Sequence, residues 1–407
     1  MAKADSAETA TVPHPRAASV LIGHEDAERT LLDAVAGGKL HHAWLITGPR
    51  GIGKATLAYR FARFLFAHGM ADGGADMFGN RPTSLAVDPG DPLFRRIAAG
   101  SHPDLVTLER EENPRTKVLR DEIVIDQVRE LAGFFAMTPA EGGYRVAVID
   151  AMDELNRNAA NALLKLLEEP PARSVLILVA HAPGRLLPTI RSRCRRLSLR
   201  PLPPPAVETI LNRLWDGISP EDSAGLTRLA DGSPGRALAL AAAGGLGHYR
   251  AVADLIAPLG QRKAIDIKAV HAMADKFAGR EGGDLFRLTF ELIGLWLTRM
   301  VRLAATGEID EAMRGEGGTM QAVAGQRGLN AGARYGRRST PWPDGPRRSI
   351  STARKSSSPP WASSSGRRGR VPPDGVALGV LNVGRAEVLY HDRDFLPQWR
   401  AAHRPRL

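Results

Sequence analysis

Gly48-x-x-x-x-Gly53-Lys54 is the stretch of this 407-residue chain whose residue types and spacing most plainly carry chemistry. Glycines so spaced let backbone N–H groups turn toward phosphate oxygens, and a helix N-terminus behind them adds partial positive charge. The lysine of this pattern reaches the outer phosphates. Gly48, Gly51, Gly53 and Lys54 are therefore candidate nucleotide contacts. The pattern asks next for Ser or Thr to hold Mg²⁺, and Ala55 stands there. Thr56 comes one residue late, roughly 100° around a helix from the required direction. It joins the candidate set as a degenerate member. A second candidate is Asp150, which ends the apolar run Tyr144-Arg145-Val146-Ala147-Val148-Ile149. An acid at the C-terminal end of a buried parallel strand sits where open α/β sheets place their ligands. In P-loop ATPases such an Asp orients Mg²⁺, with a water-activating acid close by. Here the next residue is Ala151. Two losses of this kind, at 55 and 151, point to a phosphate site that has given up hydrolysis.

The elements that must position these residues are legible on either side. Trp44-Leu45-Ile46-Thr47 reads as a strand leading into the glycine loop, and Leu57, Phe61, Phe64 and Leu65 mark a helix after it. Residues 22–40 carry Leu31, Leu32 and Val35 at helical spacing, with Gly37-Gly38 as a stop. His41-His42 directly precede the strand. Neighbours on a strand face opposite ways, so a structural role is expected and no metal. Residues 69–92 read as a loop, and Ser101-His102-Pro103-Asp104 as a turn before a strand at 105–108. The charged run 109–117 reads as a surface hairpin or loop. A helix follows with Asp126 as its expected cap and Val128, Leu131 and Phe135 on one face. A strong helix over 156–169 stops at Pro170-Pro171, and 174–180 is another buried strand.

Composition bounds the class. The chain is 43% hydrophobic and 24% charged, as a globular protein with a sizeable core would be. Its single cysteine, Cys194, excludes an internal disulfide and any multi-cysteine zinc site. No apolar run approaches the length that spans a membrane, about 20 residues. A cytoplasmic protein is expected. The net charge of +11 suggests nucleic acid, but it is not spread evenly. Residues 326–370 hold eleven Lys/Arg against one acid, and 371–407 five Arg against four acids, which leaves 1–325 neutral. The basic balance therefore belongs to the tail and does not make the body a DNA-binding surface.

Taken in order, these pieces resemble the clamp-loader branch of the AAA+ ATPases. The resemblance rests on His42-Ala43-Trp44-Leu45 running into 48–56, Ile125-Asp126-Gln127-Val128-Arg129, and Asn161-Ala162-Leu163-Leu164-Lys165-Leu166-Leu167-Glu168-Glu169-Pro170-Pro171. It rests further on Leu186-Leu187-Pro188-Thr189-Ile190-Arg191-Ser192-Arg193-Cys194 and Gly232-Ser233-Pro234-Gly235-Arg236. It implies an AAA+ P-loop α/β fold, a parallel sheet flanked by helices, followed by a small helical lid and an all-α collar. It implies that Arg193 is an arginine finger reaching in trans to the ATP of a neighbouring subunit, a device worth roughly 10³–10⁵ in rate. Arg236 matches a sensor position that contacts nucleotide in active relatives. The first sensor position falls near Ala180-His181, without its usual Thr or Asn. Some family members bind zinc through four cysteines after the P-loop helix. Residues 69–100 hold none, so no zinc is expected.

The expected organisation is a disordered leader over 1–17, the AAA+ domain over 18–200, a lid over 201–245, an incomplete collar over 246–325, and a disordered basic tail over 326–407. In the tail, Arg, Ser, Pro and Gly replace the amphipathic pattern of the collar, too polar to offset the entropy of ordering. A reading-frame error accounts for that abrupt change, and a natural tail binding DNA phosphates is the alternative. The resemblance implies a replication role within DNA polymerase III, helping to load the sliding clamp onto primed DNA, with gamma/tau and delta subunits as partners. ATP binding without hydrolysis is open, and independent ATPase activity is not expected. Two alternatives stand beside this reading: an active gamma/tau-type ATPase, and a DNA-binding protein acting through its basic tail.

Overall fold

Alternation along the strands decides how this sheet is covered. In β1 (Ala43–Thr47), Trp44 and Ile46 belong to one apolar cluster, and Ala43 and Leu45 to another. Successive strand residues face opposite sides, so a strand apolar throughout must be buried on both. The computed structural model describes residues 14–326, apart from 39, 69–81, 114, 116, 117, 142 and 279–281. The expected leader up to residue 13, the loop over 69–81 and the tail from 327 lie outside the described residues.

Among the described residues the chain first forms α1 (Glu25–Ala36), β1, α2 (Lys54–His68) and α3 (Pro92–Ala98). Next come β2 (Leu105–Leu108), α4 (Ile125–Ala136), β3 (Arg145–Asp150), α5 (Arg157–Glu168), β4 (Ser174–Ala180), α6 (Pro188–Ser192) and β5 (Arg195–Ser198). The strands make one sheet in the order β2-β3-β4-β1-β5, every pair parallel. On one face Leu31, Leu57, Phe61, Phe64 and Ile97 from α1–α3 cover Trp44, Ile46, Val148 and Ile177. On the other, Val128, Leu131, Leu163, Leu167 and Ile190 from α4–α6 cover Leu45, Ile149, Leu176 and Leu178. This is the P-loop sheet with flanking helices that the resemblance implies.

Seven helices follow: α7 (Pro204–Leu214), α8 (Pro220–Ala230), α9 (Pro234–Ala242), α10 (Gly245–Gly260), α11 (Ile267–Asp275), α12 (Gly282–Thr306) and α13 (Glu316–Gln326). One apolar cluster runs from Leu202 through Leu229, Tyr249 and Trp296 to Ala324, continuous across residue 245. Inside it Glu316 accepts from Arg299 Nη2 at 2.9 Å, Arg299 Nε at 3.1 Å and the Ala312 amide at 2.7 Å, and Tyr249 donates to the same carboxylate. On the outer side of α12, Phe286, Phe290, Leu297 and Val301 remain exposed.

Local details depart from the sequence expectations. The cap of α4 is Val124, whose N–H donates to the Gln127 side chain at 3.0 Å; Asp126 lies in the first turn and pairs with Arg129. His41 and His42 precede β1 and their rings stack 4.4 Å apart, so strand alternation does not apply to them. Their nitrogens meet the Ala43 and Leu167 carbonyls, a structural role. Residues 14–17 are ordered, against the expected leader boundary, because the buried Arg63 guanidinium donates to the Arg16 and Ala18 carbonyls at 2.8 and 2.7 Å.

Candidate functional site

The glycine loop joins β1 to α2 at the C-terminal end of the sheet. Gly51 takes φ 74°, a conformation glycine adopts without strain. A methyl there would come within 2.4 Å of the Ser233 hydroxyl, so α9 packs directly on the loop. The Gly235 N–H donates to the Gly51 carbonyl at 2.8 Å, and the Ser233 hydroxyl to the Arg50 carbonyl at 2.9 Å. From the other side the buried His24 imidazole donates to the Ile52 carbonyl at 2.6 Å. Lys54 Nζ turns back to the Gly48 carbonyl at 2.8 Å and also meets that of Pro49.

These elements enclose a cavity of about 370 Å³. Gly51, Gly53, Lys54, Thr56, Asp150 and His181 form its polar side. Its apolar side comes from Val20, Leu21, Leu202, Ile210, Leu214 and Leu238. Burial dominates the titration of the polar wall. It lowers Lys54 to about 8, against the opposing pull of Asp150, and raises Asp150 to about 6. Burial, reinforced by the Lys54 charge, lowers His181 to about 4. Arg236 is not among the lining residues: its guanidinium pairs with Glu291 of α12 at 2.9 Å. The cation that lines the cavity from the helical side is Arg213, on α7.

Two positions where the P-loop pattern would place groups for magnesium and water carry no polar side chain. Position 55 offers a methyl, and position 151 is a buried alanine. The acids just beyond are committed elsewhere: Asp153 accepts from the His181 amide at 2.7 Å, and Glu154 pairs with Arg50 and Arg110, each at 2.9 Å. Among the described residues no cluster of three or more His, Cys, Asp or Glu could hold a metal ion.

Arg193 lies apart from this cavity for a topological reason. The strands are parallel, with Trp44 level with Arg195 and Thr47 level with Ser198. Lys54 and His181 follow the C-terminal ends of β1 and β4 and Asp150 is the last residue of β3, whereas Arg193 precedes the N-terminal end of β5. Three strand steps, about 10 Å, separate the level of Arg195 from that of Thr47. Arg193 lies further back still. Its side chain is 35% exposed, and its guanidinium donates to the Thr189 carbonyl at 2.9 Å and pairs with Glu168 at 2.8 Å. Cys194 is half-buried behind it, and burial pushes its thiol up to about 12.

The structure thus brings Gly51, Gly53, Lys54, Thr56 and Asp150 together at the cavity and leaves Gly48, whose carbonyl accepts from Lys54, and Arg193 and Arg236 outside its lining. Sequence reasoning missed His24, Arg213 and the wall formed by 15–22. None carries a motif; only His24, just before the acidic first turn of α1, stood at a helix start.

A family described as DNA polymerase III, delta subunit, matches residues 23–203. The DNA polymerase III subunit delta' of Pseudomonas aeruginosa is 40% identical over 168 residues, covering 41% of this chain and 46% of that protein. Subunit delta' of Escherichia coli is 35% identical over 210 residues, covering 52% of this chain and 57% of that protein. Subunit tau of Salmonella typhimurium is 31% identical over 272 residues, covering 64% of this chain and 38% of that protein. The chain spans about half the length of these curated relatives. Over residues 23–203 the chain is thus similar to the DNA polymerase III delta-subunit family, and the relatives it resembles include subunits delta' and tau.

Proposed function

We propose that this chain is a delta-prime-type clamp-loader subunit that lends Arg193 to the ATP of a neighbouring subunit and hydrolyses none itself. The observation that carries this reading is the placement of Arg193 at the end of the sheet opposite its own phosphate loop. A guanidinium there cannot serve the chain's own cavity, yet its side chain is partly exposed and presents a rigid fork of donors suited to phosphate oxygens. Ala55 and Ala151 support the second half of the reading, since neither can hold a metal or activate water. Adenine nucleotide can still occupy the cavity, with Gly51, Gly53 and Lys54 at the phosphates and the apolar wall at the base. The exposed side of α12 supports assembly with gamma/tau and delta subunits, and through them work on the sliding clamp and primed DNA in the cytoplasm.

The test is reconstitution with the partner subunits. Arg193→Ala is expected to lower DNA-stimulated ATP turnover at the site it faces by about 10³, with the complex still assembled. Unchanged turnover would remove Arg193 from the mechanism. The similarity to tau keeps one other reading in view, an active ATPase of that type. Lys54-dependent turnover by the isolated chain would favour it.

A further inference from the structure

Two of the stretches that carry the family resemblance, 161–171 and 186–194, meet at a single ion pair. Glu168 closes α5, and its carboxylate lies 2.8 Å from Arg193 Nη2. The position is unfavourable for an acid. The C-terminus of a helix carries partial negative charge and favours cations. Glu169 follows immediately, so two carboxylates crowd that end. Lys165 in the last turn and the guanidinium of Arg193 offset this locally, and only Arg193 pairs directly with Glu168 among the described ion pairs. The same guanidinium is fixed on its other branch, where Nη1 donates to the Thr189 carbonyl at 2.9 Å. Arg193 is therefore gripped at both terminal nitrogens by groups of its own chain, one on α5 and one on α6. A free arginine at a surface samples many rotamers, and stilling it costs side-chain entropy.

We propose that Glu168 is a positioning residue for Arg193: it holds the guanidinium in one orientation at the surface before a neighbour's phosphates arrive. The proposal rests on the reading of Arg193 as a finger in trans and adds the residue that prepares it. Glu168 touches no substrate. Its side chain is 48% exposed, so a neighbouring phosphate chain can share the guanidinium without dehydrating a buried charge. An exposed pair of this kind biases a side-chain population by no more than about fivefold.

The test uses the reconstituted complex and four versions of this chain: wild type, E168Q, R193A and the double variant. E168Q is expected to lower kcat for DNA-stimulated ATP turnover about two- to fivefold, with KM for ATP unchanged. The deficit should shrink at high salt, where the wild-type pair is screened. In the double variant E168Q should add nothing to R193A. A loss that adds to R193A would assign Glu168 a structural role and overturn the proposal, as would an E168Q complex as fast as wild type or faster. An R193A complex that turns over normally removes the finger and the role of Glu168 with it. A second readout needs only the isolated full-length chain. Labelling by phenylglyoxal, read by peptide mass spectrometry, should be faster at Arg193 in E168Q; equal rates would show that the pair does not hold the side chain in solution.

Discussion

Lys54 is where the chemistry of single residues is most constrained. The residue is 3% exposed and its ammonium is bonded to carbonyls of its own loop, with Asp150 exerting the strongest opposing pull among the charges around it. Burial lowers its pKa from 10.5 to about 8. The sign of the consequence follows from proton counting. Between about pH 8 and 10.5 the unfolded chain still holds this proton while the folded chain has released it, so stability rises with pH across that window. Urea midpoints of wild type and Lys54→Met, compared at pH 8 and pH 10, should show wild type gaining on the variant. An unchanged difference would mean that the ammonium is hydrated. Arg193 illustrates the converse case, a partly exposed charge whose proposed role rests on direction and availability, not on stability.

Between elements the decisive contact is α9 on the phosphate loop. A methyl on Gly235 would come within 2.9 Å of the Gly51 Cα and 3.0 Å of its carbonyl oxygen, so backbone must move to admit it. Gly235→Ala should therefore cost about 1–3 kcal/mol and speed amide exchange over residues 48–53. Gly133→Ala is the control, since a methyl there meets nothing within 4 Å and removes a helical glycine. It should gain up to about 1 kcal/mol in the same urea titration. Some element ends were harder to read than their interiors. The helix α3 fell next to a stretch read as loop because it is seven residues long, although its start is marked by Asp91 accepting from the Leu93 amide and by Pro92 in the first turn. Asp126 had the right chemistry for a cap, but the Gln127 side chain satisfies the amide at the helix start.

At the scale of the whole molecule, the helical half is held by charge as well as by apolar packing. Glu316 is fully buried and joins Tyr249 of α10, Arg299 of α12 and the Asp310–Ala312 turn. Removing one partner of a buried pair leaves the other uncompensated, at about 3–5 kcal/mol. Glu316→Ala should lower the thermal midpoint of this half clearly, measured by circular dichroism on the full chain. An unchanged midpoint would show that Arg299 finds water when its partner is lost.

The amino-acid sequence by itself determined the phosphate loop, the missing hydroxyl at 55, the missing acid at 151 and the covered parallel strands. Each of these depends on residues adjacent in the chain or on a short period, and backbone geometry translates such patterns directly. It also pointed to Arg193, through a motif and not through any local chemistry. Only the tertiary structure decided which side chains share the cavity. Residues 15–22, 54, 150, 181, 213 and 238 reach it from separate elements, and Arg236 is drawn off to Glu291 by a helix 55 positions away. The meeting of Glu168 with Arg193 is likewise set by how α5 and α6 pack on one sheet face, a relation between distant segments that no local pattern encodes.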